Sequence, residues 1–279
     1  MSDPVLVTGA TGNTGAAVVA GLRKRGHRAR VASRHPGHAD PDAIAFDWAE
    51  ATTFTAAVAG ATAVYLVAPV GAADPVPMVR PFLERAATQG VQRVVALSSS
   101  AIERGDPGLG EIHDIVAELF AEATVLRPAW FMQNFVGDHP LAKSIRDHHE
   151  IVTATGTGRL GFIDANDIAA TAVEALIAPE PVGEELVLTG PESLSYADAA
   201  KILSDVLGYH VRHVDVSAAE RTAQFTAAGL SEEFAGALAA LDGRIAAGEQ
   251  DFVTTTVRDV TGRPPTSLRD FLHQVHLHR

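Results

Sequence analysis

The run Val5-Leu6-Val7-Thr8-Gly9-Ala10-Thr11-Gly12-Asn13-Thr14-Gly15 constrains this chain more than any other part of it. A short apolar, strand-forming segment meets three glycines spaced three apart, and an Ala/Val/Leu-rich helical segment follows at once. A helix start offers unpaired backbone N–H groups and a partial positive charge, both suited to a phosphate. The three glycines serve separate ends, namely a tight turn, close approach of backbone to phosphate, and close packing of helix on strand. The strand before and the helix after favour a pyrophosphate cradle over a flexible Gly/Thr loop with no ligand.

The rest of the first half repeats that rhythm. Val5–Thr8, Arg28–Ala32, Ala43–Phe46, Ala63–Val67, Arg93–Leu97 and Thr124–Leu126 read as strands, with helices such as Thr14–Arg25 and Val76–Gln89 between them. Near-continuous apolar strands alternating with helices predict a parallel sheet covered on both faces, an α/β fold of the Rossmann, doubly wound kind. After Pro128 the rhythm loosens. Asp167 is expected to cap a helix Ile168–Ile177, Glu184–Leu188 to form another strand, and Ser195 with Asp198 to open a helix Tyr196–Leu207 as a capping box. The segment from about Ala218 onward reads as mostly helical. The expected organisation is a Rossmann domain over 1–150 with returning segments from 151–190, and a smaller, mostly helical C-terminal substrate lobe over 191–279.

Composition removes several function classes. A net charge of −12 argues against nucleic acid as a partner, because phosphate contacts need clustered Lys and Arg. With no cysteine, disulfides, thiol catalysis and zinc–thiolate sites are excluded. The start shows no charged-then-apolar leader, and no apolar run approaches the ~20 residues of a membrane span. The expectation is a cytoplasmic protein acting on a small molecule, with a homodimer as an option. Asp164 with Asp167, and His148 and His149 near Asp138 and Asp147, lack the spacing of a standard metal set, so no metal is expected. No role is given to His273, His276 and His278.

The end of the second strand discriminates between dinucleotides. An NAD-preferring site places Asp or Glu there, about 20 residues past the glycines. This chain has Val31-Ala32-Ser33-Arg34-His35 instead. Arg34 offers a planar fork of donors for a 2′-phosphate and Ser33 adds a hydroxyl, so NADPH is the expected cofactor. The competing reading makes Arg34 a solvated loop residue.

A Tyr with a Lys four residues later is the usual proton source of short-chain dehydrogenases. Tyr65, Tyr196 and Tyr209 are followed at that spacing by Pro69, Ala200 and His213, so the pair is absent. Where it would stand, between Leu97-Ser98-Ser99-Ser100 and Arg127-Pro128, the chain has Gly110-Glu111-Ile112-His113, with Ala117 at the lysine's place. His113 and Ser99 are the candidate catalytic groups, since histidine can donate a proton near neutral pH. Lining of the substrate pocket, and a solvated or structural His113, are the competing readings. The missing pair fits either a protein that binds NADPH without turnover, or a reductase whose substrate needs no strong acid. An iminium ion, already cationic at nitrogen, is such a substrate.

The segment Thr8 to Gly15 and the signature Leu126-Arg127-Pro128 resemble the NmrA-like atypical short-chain dehydrogenases/reductases. Val31–Arg34, Phe46-Asp47-Trp48, Ala63–Pro69, Leu126–Phe135, Ala154–Gly158 and Leu268–Phe271 are similar to one branch, the agroclavine/festuclavine dehydrogenases of ergot-alkaloid chemistry. The resemblance implies a Rossmann fold, NADPH, and reduction of a cyclic iminium or related imine. It implies that Gly9, Thr11, Gly12, Asn13, Thr14 and Gly15 hold the pyrophosphate, and that Ser33 and Arg34 meet the 2′-phosphate. It places Asp47 and Trp48 by the adenine, Val67, Ala68 and Pro69 along the ribose, and Ser98 with the cofactor set. Trp130, Phe131 and Met132 then face nicotinamide and substrate, Trp130 by stacking; for Phe131 and Phe135, core filling is an equal reading. An NADP-sensing regulator of the NmrA kind and a quinone or enone reductase are the alternatives.

Overall fold

The computed structural model describes residues 3–37, 40–72 and 74–277, which form two compact units. The first unit comprises residues 1–128, 165–187 and 259–262. Its strands are β1 (Val5–Val7), β2 (Ala29–Ser33), β3 (Ala43–Ala45), β4 (Ala63–Val67), β5 (Arg93–Leu97) and β6 (Glu122–Pro128). They lie in the order β3-β2-β1-β4-β5-β6, with a seventh strand, Glu185–Leu188, beyond β6. The five pairings among β1 to β6 are parallel. This is the doubly wound order expected of a dinucleotide-binding sheet.

The strands form where continuous apolar runs can be covered on both faces. Leu6 and Val7 of β1 and Val64 and Tyr65 of β4 are fully buried. Between strands run α1 (Asn13–Lys24), α2 (Phe54–Val58), α3 (Val76–Thr88) and α4 (Leu109–Leu119). Leu6, Val64, Phe82, Leu83 and Ile115 belong to one hydrophobic core. Helix α1 also packs on the helix Ala165–Ile177, where a Cβ on Gly21 would lie 2.8 Å from Val173 Cγ2. That helix begins three residues earlier than expected, so Asp167 is not its cap. It stands in the first turn, where its charge still suits the helix dipole.

The second unit comprises residues 129–164, 188–258 and 263–279, so the division falls at Pro128 rather than near 150. The physical reason is where the backbone bonds go. Once β6 ends, Ile163 N donates to Trp130 O at 2.9 Å and Met132 N to Ile163 O at 2.8 Å, so this stretch is tied to its own unit. The strand Glu150–Thr153 pairs in parallel with Arg212–Asp215, and Arg159–Leu160 antiparallel with Leu194–Ser195. The helix Tyr196–Leu207 opens on the expected capping box of Ser195 and Asp198. The segment from Ala218 is mostly helical as expected, over Ala218–Ala227, Glu232–Ala246, Thr256–Thr261 and Leu268–Leu277; His278 lies outside the described residues. Among the described residues no helix is long and apolar enough to cross a membrane.

Candidate functional site

The glycine turn has the geometry a phosphate cradle needs. Gly9 adopts φ +58°, and a Cβ there would sit 2.9 Å from Val67 Cβ. Gly12 N donates to Gly9 O at 2.9 Å, closing the turn. A Cβ on Gly15 would come within 2.1 Å of Gly9 O, so only glycine lets the first turn of α1 seat on the end of β1. No side chain caps α1 and no acidic residue stands in its first turn, which leaves its amides and dipole available to an anion. Thr11, Gly12 and Asn13 are exposed around that terminus, while Thr14 is buried beneath it. Thr8 Oγ1 accepts from Val67 N at 2.7 Å and donates to Tyr65 O at 3.1 Å, tying the ends of β1 and β4 together. The residues therefore fit a dinucleotide pyrophosphate.

A cleft of about 520 Å³ opens beside this turn at the carboxyl ends of β1, β2 and β4. It brings Gly9 and Thr11 together with Ser33, Arg34, Asp47, Trp48, Val67, Ala68 and Pro69. Gly12, Asn13, Thr14, Gly15 and Ser98 do not line it. Arg34 is exposed and makes no ion pair among the described residues. Ser33 Oγ accepts from His35 N at 3.2 Å, and Asp47 Oδ1 from Ala49 N at 3.0 Å. Trp48 has two roles: one edge lies in the cleft, and its ring meets Phe46 at 4.8 Å and Phe82 at 5.3 Å in edge-to-face contacts. His35, Val70 and Met78 also line the cleft and were not among the expected residues. Val70 is 94% exposed, a signal visible only in three dimensions.

His113 does not sit on a solvated helix start. Its side chain is 1% exposed, and Nε2 lies 2.7 Å from Ser98 Oγ. The structure therefore pairs His113 with Ser98. Ser99, expected to act beside it, instead accepts from Ala101 N at 3.2 Å and shapes the turn after β5. Nδ1 of His113 has no hydrogen-bond partner and faces Glu185 Oε1 at 3.8 Å. Burial lowers the imidazole below its ordinary 6.5; Glu185 opposes the shift and Arg127 adds to it, so the ring is neutral near pH 7. Arg127, buried at the end of β6, pairs with Glu185 at 3.1 Å and with Glu103 at 2.5 Å. Sequence reasoning missed Glu185 and Arg127, because nothing in the chain brings the seventh strand to α4. Tyr65 and Tyr196 are core residues whose phenols burial pushes up from 10, Tyr65 facing Thr14.

In the second unit Trp130 and Phe131 are half-buried at the start of the segment after β6. Met132, expected to face substrate, is 1% exposed and packs with Phe135 and Phe162, so it is a core residue. Phe135 is also core. Gln133 Nε2 donates to the buried Asp164 at 2.7 Å. Among the described residues no cluster of His, Asp and Glu is arranged to hold a metal.

Comparisons with known proteins show the family and the fold. The model of the family described as NAD(P)H-binding matches residues 9–179. An oxidoreductase of Bacillus subtilis, YesF, is 46% identical over 96% of this chain and 94% of its own length. The agroclavine dehydrogenase of Claviceps fusiformis is 34% identical over 96% of both chains. The NADPH complex of the Escherichia coli quinone oxidoreductase QOR2 shares the fold, with a TM-score of 0.80 at 22% identity over 99% of this chain and all of that one. This chain thus belongs to the NAD(P)H-binding family, as an NAD(P)H-dependent oxidoreductase of the NmrA-like atypical short-chain dehydrogenase/reductase kind, related to the agroclavine and festuclavine dehydrogenases.

Proposed function

We propose that the protein is an NADPH-dependent reductase of a small cyclic imine or iminium, working without a Tyr–Lys pair. The observation that carries the reading is the acid–base character of the site. No tyrosine of the chain has a lysine four residues on, Tyr65 and Tyr196 are buried, and burial keeps His113 neutral. Such a site suits an acceptor that already carries its positive charge. The kinship with clavine dehydrogenases at 31–34% identity supports it. The kinship with proteins named oxidoreductase and dehydrogenase favours turnover over sensing.

When bound, the reduced nicotinamide supplies the hydride. The chain's own residues do the rest. Gly9, Thr11, Gly12, Asn13, Thr14 and Gly15 bind the pyrophosphate through the backbone and helix start. Ser33 and Arg34 take the 2′-phosphate, Asp47 and Trp48 the adenine side, and Val67 to Pro69 the ribose. Positioning and a water-poor surrounding supply most of the rate.

The test is NADPH oxidation followed optically against a panel of cyclic imines, N-alkyl iminium salts, quinones and aldehydes, each repeated with NADH. Fastest turnover of an imine or iminium with NADPH is the expected result. Reduction of quinones or aldehydes with none of the imines would overturn it in favour of a quinone or carbonyl reductase.

A further inference from the structure

We propose that His35 is a second ligand of the cofactor's 2′-phosphate, so that the preference for NADPH over NADH strengthens as the medium becomes more acidic. The inference rests on the NADPH reading of the cleft and deepens it. Ser33 closes β2, and Ser33, Arg34 and His35 all line the cofactor cleft. Neighbouring residues of an extended chain point to opposite sides. Here Ser33 Oγ accepts from His35 N at 3.2 Å, and the turn so formed puts two consecutive basic side chains on one wall.

The partners of the other basic groups beside β2 sharpen the contrast. The chain carries 34 acidic residues against 22 Lys and Arg, so an arginine readily finds an acceptor. Arg23 pairs with Asp40 and Arg28 with Asp42, while Arg30 donates to the carbonyls of Ala57 and Ala59. None of these three arginines lines the cleft. Arg34 and His35 do line it and are exposed. Among the described residues neither of their side chains has a hydrogen-bond or ion-pair partner. Asp47, after β3, is the other charged residue of the lining, and its Oδ1 accepts from Ala49 N at 3.0 Å. Two basic side chains left open at this strand end, where a dinucleotide presents its adenosine ribose, match a phosphate dianion.

The two groups do different work. Arginine is a cation at every working pH, whereas an imidazole becomes one only in acid. A phosphate monoester gains its second negative charge near about pH 6. Between about pH 8 and about pH 6.5 the phosphate therefore stays largely a dianion while a histidine gains charge. Attraction grows over that interval for NADPH. NADH carries a hydroxyl in place of the phosphate and gains nothing. A bound dianion also favours the charged imidazole, so NADPH binding takes up protons.

The experiment titrates NADPH and NADH calorimetrically into wild type, His35→Asn, His35→Arg and Arg34→Ala, at about pH 6.5 and about pH 8.5. The redox-inert probes 2′-phospho-ADP-ribose and ADP-ribose repeat each measurement. His35 is exposed, so its substitutions leave the fold intact. Wild type is expected to bind NADPH about threefold to tenfold tighter at the lower pH, between the scales of an exposed ion pair and a charged hydrogen bond. NADH is expected to bind alike at both. His35→Asn is expected to lose the acid gain, His35→Arg to bind NADPH tightly at both pH values, and Arg34→Ala to weaken NADPH while keeping the gain. Near about pH 7.5, buffers of different ionisation heat are expected to reveal proton uptake with NADPH in wild type, and none with NADH or in His35→Asn. A His35→Asn variant matching wild type in NADPH affinity and pH trend would overturn the assignment. So would equal losses of NADPH and NADH, which would make His35 a residue of the turn's shape; both outcomes leave the NADPH reading standing. Wild type binding NADPH and NADH alike at both pH values would overturn the NADPH reading itself, and the role of His35 with it.

Discussion

Gly15 and Arg34 carry opposite kinds of information at the scale of single residues. Gly15 is fixed by space: a methyl group there would lie 2.1 Å from the Gly9 carbonyl oxygen, and backbone on both sides has nowhere to move. Gly15→Ala is expected to cost about 1–3 kcal/mol of stability, the scale of overpacking. It should also abolish dinucleotide binding, with denaturant melts and cofactor titration as the checks. Arg34 is fixed by charge: it is exposed, lines the cleft and holds no carboxylate among the described residues. Arg34→Ala is expected to weaken NADPH by about 1.5–3 kcal/mol, the scale of a charged hydrogen bond, and to leave NADH nearly unchanged. Equal losses for both cofactors in calorimetric titration would return Arg34 to the solvated loop. Both residues were legible in the sequence, because a glycine triplet and a missing carboxylate act within a few residues of the backbone they serve. Ser99 and Met132 were not. Ser99 satisfies the turn after β5, and Met132 fills the core of the second unit; the chain alone does not reveal which of three serines turns toward α4.

At the scale of elements, strands and caps follow local rules. Ala63–Val67 and Arg93–Leu97 form as read, because a strand buried on both faces must be apolar along its whole length. The helix Tyr196–Leu207 opens where Ser195 Oγ accepts from Asp198 N at 3.1 Å and the Asp198 carboxylate accepts from Ser195 N at 3.1 Å. Ser195→Ala is expected to cost about 1 kcal/mol, read as a lower denaturation midpoint at unchanged m-value. NADPH affinity is expected to be unaltered, since Ser195 belongs to the second unit and the cleft to the first. The misplaced start of the helix Ala165–Ile177 shows where local rules fail. Asp167 resembles a cap, yet the helix begins earlier, and a carboxylate in the first turn is as favourable as one at the cap.

At the scale of the whole molecule, histidines lowered by burial link folding to pH, among them the buried His113 and the half-buried His213. Burial lowers His113 in the first unit and His213 in the second, where His213 Nε2 lies 2.7 Å from Thr153 Oγ1. Both are neutral when folded and take up protons near 6.5 when unfolded, so the unfolded chain binds more protons in acid. Their contribution to stability is complete above 6.5 and is lost as pH falls through the lowered folded values. Tm is expected to drop as pH falls below about 6.5, and His113→Gln with His213→Gln to flatten part of that slope. An unchanged slope in the double variant would remove both histidines from the account.

The sequence by itself determined the strand–helix alternation, the glycine cradle and the choice of Arg34 over a carboxylate. Each is a matter of neighbouring residues: apolar continuity, φ permissiveness and charge at a strand end. Only the tertiary structure decided what stands behind Ser98. Glu185 comes to His113 because the seventh strand adds beyond β6 in the sheet, while Arg127 is held at the end of β6 by Glu185 and Glu103. Strand order sets that meeting, and no spacing along the chain encodes it. The cofactor cradle is therefore a local property of the chain, and the grouping of Ser98, His113 and Glu185 a property of the sheet.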